Sequence, residues 1–286
     1  MTWASDLFEL FEGLEFLEQS YEQMLNDRFT AEVTLIEASE SRMLIDEEEW
    51  PLSFAVRTPK GWKATSFLLR KPTVQIVERY EALGGEIFQT EKAEFAAAMR
   101  EHFSETLMQQ VLPAIEDFSP ERCTGVQELI YQEWGEKIGQ GCLDVACGSG
   151  LGSAALRQMG MIPIAYDNDP GLLALGMRTG RLMPEGTMCI DATKASVLAP
   201  KAPFGLILMA GSINNFNEYI WKAIVDETLK LTEAVIVTVE TEKEGERVKG
   251  WGTANGHTVK LFENKRDPFY DRWVCSISQC YDTGLP

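Results

Sequence analysis

The chain is short of positive charge. Its 286 residues carry 26 lysines and arginines against 44 aspartates and glutamates, a formal net charge of −18. Wrapping a nucleic acid needs a basic surface, so partners of that kind are not expected. Long apolar runs are also missing. No window approaches the roughly 18 consecutive apolar residues of a membrane span, so no membrane partner is expected. The opening "MTWASDLFELFEGLEFLEQ" has neither a basic leader nor an apolar core, which argues against a secretory signal. The six cysteines, Cys123, Cys142, Cys147, Cys189, Cys275 and Cys280, form no C-x-x-C pair. Several fall in apolar runs, the usage of reduced core thiols in a cytoplasmic protein, and no metal site is expected. What is present is ordinary for a folded protein: 45% hydrophobic residues and enough length for one large domain or two smaller ones.

The acids crowd the start, with fourteen in the first fifty residues against Arg28 and Arg42. Between Ser5 and Asn26, Leu7, Leu10, Phe11, Leu14, Leu17, Tyr21 and Met24 recur at helical spacing, which predicts one acidic amphipathic helix with Ser5 as N-cap. "AEVTLIEAS" and "LSFAVRT" alternate as strands do, and "TPKGWK" has the composition of a turn. Helices are predicted from Pro72 to Leu83, stopped by Gly84-Gly85, and from Glu91 to Gln110. Residues 1–122 therefore read as a smaller α+β, mainly helical region.

From about residue 125 the texture changes. "GVQELIYQEWGEKI" is amphipathic. Short apolar runs then alternate with helical patterns: "CLDVA", "IPIAY", "TMCI", "FGLILM" and "EAVIVTV", with helices after Gly152 and Pro170 and around Asn217 to Lys230. That alternation predicts βαβ units and a doubly wound, parallel α/β sheet over residues 123–286. "HTVKLFEN" and "RWVCSISQC" have no helix between them and read as an antiparallel hairpin at one edge.

The chemistry centres on "LDVACGSGLGS", residues 143–153. Gly148, Gly150 and Gly152 allow a sharp turn and a close approach of backbone to ligand. Gly148-x-Gly150-x-x-Ser153 also approximates the dinucleotide fingerprint. The carboxylates discriminate. Asp144 precedes the turn, Asp167 closes the second strand, and Asp191 closes the third. A ribose-binding acid after the second strand suits several nucleosides, but two further carboxylates in the crevice would repel a pyrophosphate. They suit a cofactor that carries positive charge.

On these residues the chain resembles the class I S-adenosylmethionine-dependent methyltransferases, over roughly residues 125–286. The resemblance implies a Rossmann-like fold and S-adenosyl-L-methionine as cofactor, with S-adenosyl-L-homocysteine as product. It implies that Asp144, Ala146, Gly148 and Gly150 line the methionine portion and that Gly152 opens the next helix. Asp167 would take the ribose hydroxyls and Asn168 would lie beside the adenine. Asp191 would accept from the adenine amino group, with Ala192 beside it. Met209 and Ala210 would offer backbone groups towards the methionine end.

After the fourth strand comes "MAGSINNF", which is not the Asn/Asp-Pro-Pro-aromatic clamp used on planar amino groups, so a small-molecule acceptor is expected. Ser212, Asn214 and Asn215 are candidate substrate contacts, or caps of the next helix. In-line displacement at a sulfonium methyl needs a general base only if the nucleophile arrives protonated. His257, His102, Tyr219 and Glu218 are considered for that role and none is assigned. Residues 1–122 would cover the crevice and shape the substrate pocket, or mediate a homodimer. Two other readings stay open: a nicotinamide-dependent oxidoreductase using the same glycine turn, and a non-catalytic nucleoside-binding regulator.

Overall fold

The computed structural model describes residues 4–10 and 13–279. The chain divides into two compact units, one of residues 1–109 with 184–186 and one of residues 110–183 with 187–286.

In the first unit the elements are α1 (Ala4–Leu7), β1 (Leu14–Phe16), α2 (Arg28–Leu35), β2 (Glu40–Ile45), β3 (Pro51–Thr58), β4 (Gly61–Ser66), α3 (Val74–Ala82), β5 (Glu86–Gln89) and α4 (Lys92–Gln110). Five strands form one sheet in the order β1-β4-β3-β2-β5. The β2–β3–β4 meander is antiparallel, and β1 and β5 join its two edges in parallel. The predicted turn at "TPKGWK" links β3 to β4, with Gly61 at φ +118°. Met43, Phe54 and Val56 of the sheet pack with Val33 of α2 and Ile76 of α3 into a core. The unit is thus α+β, organised by its sheet.

Two expectations fail here. The helix from Ser5 to Asn26 does not form. Of its described residues only those of α1 are α-helical, Leu14–Phe16 pair with Trp62–Ala64 as an edge strand, and Tyr21–Leu25 make a 3-10 turn. Leu10, Tyr21 and Met24 are buried all the same, so the stripe reflects burial without helical geometry. Glu18, within that stretch, is buried on Arg70 at 2.5 Å and accepts from the Thr65 hydroxyl and the Ser66 N–H. Phe11 of the stripe lies outside the described residues. The "AEVTLIEAS" strand does not form either: its first five residues, 31–35, belong to α2, which buries Phe29, Thr30 and Val33 at helical spacing and leaves Leu35 exposed.

In the second unit the elements are α5 (Pro120–Trp134), β6 (Gly141–Val145), α6 (Leu151–Gln158), β7 (Ile162–Asp167), α7 (Pro170–Arg178), β8 (Thr187–Cys189), α8 (Ala195–Leu198), β9 (Phe204–Ile207), α9 (Glu218–Leu231), β10 (Ala234–Val239), α10 (Glu242–Ala254), β11 (His257–Glu263) and β12 (Trp273–Gln279). The sheet order is β11-β12-β10-β9-β6-β7-β8. Strands β6 to β10 are parallel, and β12 is antiparallel to both β10 and β11. This is the doubly wound α/β sheet with an antiparallel hairpin that the alternating pattern predicts. It departs from the all-parallel dinucleotide order, because β12 is inserted between β10 and the edge strand β11. The order reverses at β6, whose neighbours are β7 and β9, and a ligand crevice belongs beyond the carboxyl ends of those strands.

Leu129 and Ile130 of α5 pack with Ala155 and Leu156 of α6 against Cys142, Leu206 and Ile236 of the sheet. Cys123, Cys142 and Cys275 are buried free thiols. Cys280 lies outside the described residues. The division between the units falls at Gln109/Gln110 rather than 122/123, because the intervening segment is tied to the second unit. Arg181 meets Glu116 at 2.6 Å, the Ser149 hydroxyl donates to Asp117 at 2.6 Å, and the Ala114 N–H donates to the Gly171 carbonyl at 2.9 Å. Among the described residues no helix is long and apolar enough to cross a membrane.

Candidate functional site

The turn after β6 is built from left-handed backbone. Ala146, Gly148 and Gly150 have φ of +51°, +53° and +86°. At Gly150 a Cβ would also lie 2.6 Å from the Leu182 side chain. At Gly152 a Cβ would lie 2.5 Å from Asp144 Oδ1, so glycine lets the first turn of α6 rest on that carboxylate. Ser153 Oγ donates to Asp144 Oδ2 at 2.7 Å. Burial pushes the Asp144 carboxyl up to about 7, against the opposing pull of Ser153, and the nearby Asp167 adds to the rise.

Asp167, at the end of β7, holds the glycine turn in place. Its Oδ2 accepts from the Gly148 N–H and its Oδ1 from the Asp169 N–H, each at 2.8 Å. Burial raises this carboxyl too, and the two N–H groups oppose the rise. Asp191, just past β8, accepts from the N–H and hydroxyl of Thr193 and lies 3.4 Å from Lys194. Those bonds hold its carboxyl below the usual aspartate range. Three carboxylates on three neighbouring parallel strands thus meet at one edge of the sheet.

A cleft of about 510 Å³ opens there. Of the cofactor contacts that the resemblance implies, Asp144, Ala146, Gly148, Gly152, Asp167, Asn168, Asp191, Ala192 and Met209 line this cleft. Gly150, Ala210, Ser212, Asn214 and Asn215 do not. Gly150 faces Leu182 instead. The Ala210 N–H is used on the Thr238 carbonyl at 2.9 Å, and the Met209 N–H on the Thr238 hydroxyl at 2.7 Å. Neither N–H is free for a ligand. Ser212, Asn214 and Asn215 build their own loop. The Asn217 side chain donates to the Ser212 carbonyl, Asn214 Oδ1 accepts from the Phe216 N–H, and Arg247 reaches Asn215. These three neither line the cleft nor cap α9, whose N-cap is Asn217 without a side-chain bond.

Several lining residues escaped the sequence reading. Leu172 and Leu208, with Ile220, Trp221 and Ile224 from one side of α9, supply an apolar wall. The spacing of those last three was a helical signal, but nothing marked which face it served. Asp117 and Arg122 come from the segment before and within α5. Arg122 is the one cation among the described residues lining the cleft, and it is neutralised. Its Nε lies 2.7 Å from Asp271 and 3.6 Å from Asp267. Asp271 is buried and also accepts from the Thr238 hydroxyl and, at 3.2 Å, from the Met209 N–H. This network ties the loop before β12 to the end of β9.

None of the residues considered as a general base gains support. His257 begins β11, which runs in the direction of β10, so it sits at the amino edge, opposite the cleft. Glu218 pairs with Arg247 at 3.3 Å. Tyr219 is exposed and does not line the cleft, and His102 belongs to the first unit.

No protein-family model matches the sequence, and no curated protein does. Solved structures share part of its outline. A magnesium protoporphyrin IX methyltransferase from Synechocystis with bound SAM is 12% identical, with a TM-score of 0.45 over 64% of this chain and 97% of its own. A precorrin-6y C5,15-methyltransferase from Geobacter metallireducens is 10% identical, with a TM-score of 0.43 over 60% of this chain and 95% of its own. A TehB-like SAM-dependent methyltransferase from Corynebacterium glutamicum is 16% identical, with a TM-score of 0.43 over 54% and 86%. At these identities and scores nothing of their chemistry transfers to this chain.

Proposed function

We propose that the second unit is a class I S-adenosylmethionine-dependent methyltransferase acting on a small molecule in the cytoplasm. The observation that carries this reading is the charge of the cleft. Asp117, Asp144, Asp167 and Asp191 line it, and its single arginine is already paired with Asp271. A dinucleotide would bring two phosphate charges into that field, at a cost no unpaired lining cation offsets. A sulfonium with an ammonium tail is favoured there.

The residues fit that group in kind as well as in charge. Each Asp167 oxygen spends one lone pair on a backbone N–H, which leaves acceptor capacity for a pair of vicinal hydroxyls. Asp144, once ionised, is the carboxylate that meets the ammonium. Asp191, Ala192 and Asn168 would hold the base, and the Leu172, Leu208 and Trp221 wall would pack on it and keep water out. When bound, S-adenosylmethionine supplies a methyl group on a leaving group already activated by positive charge. The chain's part is then to position and desolvate the reactants, which suits a cleft with no assigned base. A small acceptor is supported by the acidic surface and by a loop after β9 without an amino-group clamp.

Titration calorimetry with S-adenosylhomocysteine and, separately, with NADH tests this reading. Saturable heat with S-adenosylhomocysteine and none with NADH is expected. Binding of NADH alone would overturn the assignment.

A further inference from the structure

The cleft of the second unit has two unlike halves. Asp144, Asp167 and Asp191 stand at the ends of β6, β7 and β8, and Asp117 joins them through Ser149 of the glycine turn. On the other side of the switch in strand order, the end of β9 and α9 contribute Leu208, Met209 and Ile220, and among the described residues no acid. Met209 and Ile220 are exposed in spite of being apolar. Met209 also stands in left-handed backbone, at φ +49°, which side chains rarely adopt and which recurs at functional sites. Bonds from its N–H to the Thr238 hydroxyl and to Asp271 hold it there. The neighbour of Asp271, Tyr270, is exposed and lies with its ring 5.2 Å from the guanidinium of Arg122, which lines the cleft. A thioether, a branched alkyl chain and an aromatic ring thus border this half, a surface for a flat apolar body.

The charge of the cleft narrows the reacting atom. No base is assigned, so a nucleophile that arrives protonated has no group to take its proton. An oxygen or sulfur anion formed beforehand would enter a cleft of four aspartates whose arginine is already paired with Asp271, and would be repelled. A neutral ring nitrogen meets neither obstacle. Its lone pair lies in the ring plane, outside the π system, so it also needs no clamp of the kind used on planar amino groups.

We infer that the methyl acceptor is an uncharged aromatic nitrogen base of the pyridine kind, seated on Met209, Ile220 and Tyr270 and methylated on its ring nitrogen. This rests on the methyltransferase reading. The nitrogen lone pair forms the new N–C bond, the electrons of the C–S bond stay on sulfur, and the positive charge passes from sulfur to nitrogen. No proton moves. One positive charge faces the aspartates from start to finish, so the field that favours the sulfonium also favours the product cation.

The test gives the full chain S-adenosylmethionine at pH 7.5 with isoquinoline or, separately, with 2-naphthol, an oxygen nucleophile of the same outline, and follows products by mass spectrometry. Calorimetry with S-adenosylhomocysteine, and with isoquinoline added to the chain so saturated, runs alongside. N-methylisoquinolinium should form about tenfold faster than 2-methoxynaphthalene or more. Met209→Gly suits the left-handed backbone and removes only the side chain. It should keep S-adenosylhomocysteine affinity within about threefold and weaken isoquinoline about fivefold or more. If Met209→Gly does not fold, Tyr270→Ala decides: weaker isoquinoline binding supports the site, and unchanged affinity overturns it. Failure of S-adenosylhomocysteine to bind would sink the methyltransferase reading and this inference with it. Where S-adenosylhomocysteine binds, the inference alone is overturned by absence of N-methylisoquinolinium, by methylation of 2-naphthol at an equal or higher rate, or by full isoquinoline affinity in a folded Met209→Gly variant.

Discussion

Asp144→Asn should make the protein more stable and less able to bind its ligand. The Asp144 carboxyl titrates at about 7 in the fold, against an ordinary 3.8. A carboxyl whose folded pKa lies above its unfolded one binds its proton more tightly in the native state. Its contribution to stability is therefore fully present below about pH 4 and is lost as the pH rises to about 7. Three units at about 1.4 kcal/mol each put that loss on the order of 4 kcal/mol. Asparagine does not titrate, and its carbonyl oxygen keeps the bond from Ser153. Urea denaturation of both proteins from pH 4 to pH 8 should thus give a stability difference that widens in favour of the variant and levels off near pH 7. Titrations elsewhere in the chain cancel in that difference. A difference independent of pH would refute the argument that burial strains this charge. Removing the carboxylate also removes the partner of a cationic ligand, so S-adenosylhomocysteine affinity should drop tenfold or more. The same group would then be costly to the empty fold and useful to the occupied one, a trade-off common at functional sites.

Gly152→Ala should destabilise by about 1–3 kcal/mol in urea denaturation, since its Cβ would meet Asp144 Oδ1 at 2.5 Å and helix propensity returns only about 1 kcal/mol. It should also weaken S-adenosylhomocysteine binding in calorimetry. Asp271→Ala leaves Arg122 and the Thr238 hydroxyl without their shared acceptor and should cost about 3–5 kcal/mol by the same denaturation assay. A fragment beginning at residue 110 keeps the Glu116–Arg181, Asp117–Ser149 and Arg122–Asp271 contacts. One beginning at residue 123 loses all three, along with the Ser119 cap of α5, and should melt at a clearly lower temperature in a thermal scan. Burial holds the Cys147 thiol well above the usual range, so it should react slowly with a disulfide reagent at pH 8, and more slowly still with S-adenosylhomocysteine present.

The second unit was legible because each of its parallel strands is a short apolar run stopped by a turn, and three of those stops are aspartates. Period and punctuation agreed there. The helix α10 went unnoticed, since "EKEGERVKGWGTA" is polar and holds three glycines. Two of these serve packing: a Cβ on Gly245 would lie 2.6 Å from Leu261, and one on Gly252 would lie 2.7 Å from Val259. Its start was nevertheless written in the sequence, as Thr241 and Glu244 form a capping box. Likewise Ser119-Pro120 marks the start of α5 and could have moved the expected boundary upstream, which would have brought Asp117 and Arg122 into view. The first unit misled for another reason. Its β1 exists only through pairing with β4, and its buried Glu18 only through Arg70, a partner 52 residues away. Local periodicity carries no trace of such long-range pairings. Nor could it reveal that Ser212 and Asn214 bond within their own loop and Asn215 to Arg247 of α10.

The most direct measurement is a crystal structure of the chain grown with S-adenosylhomocysteine. The account predicts its ribose on Asp167, its ammonium towards Asp144 and its base against the Leu172 and Trp221 wall. A nucleoside bound elsewhere, or an empty cleft at a saturating concentration, would contradict it.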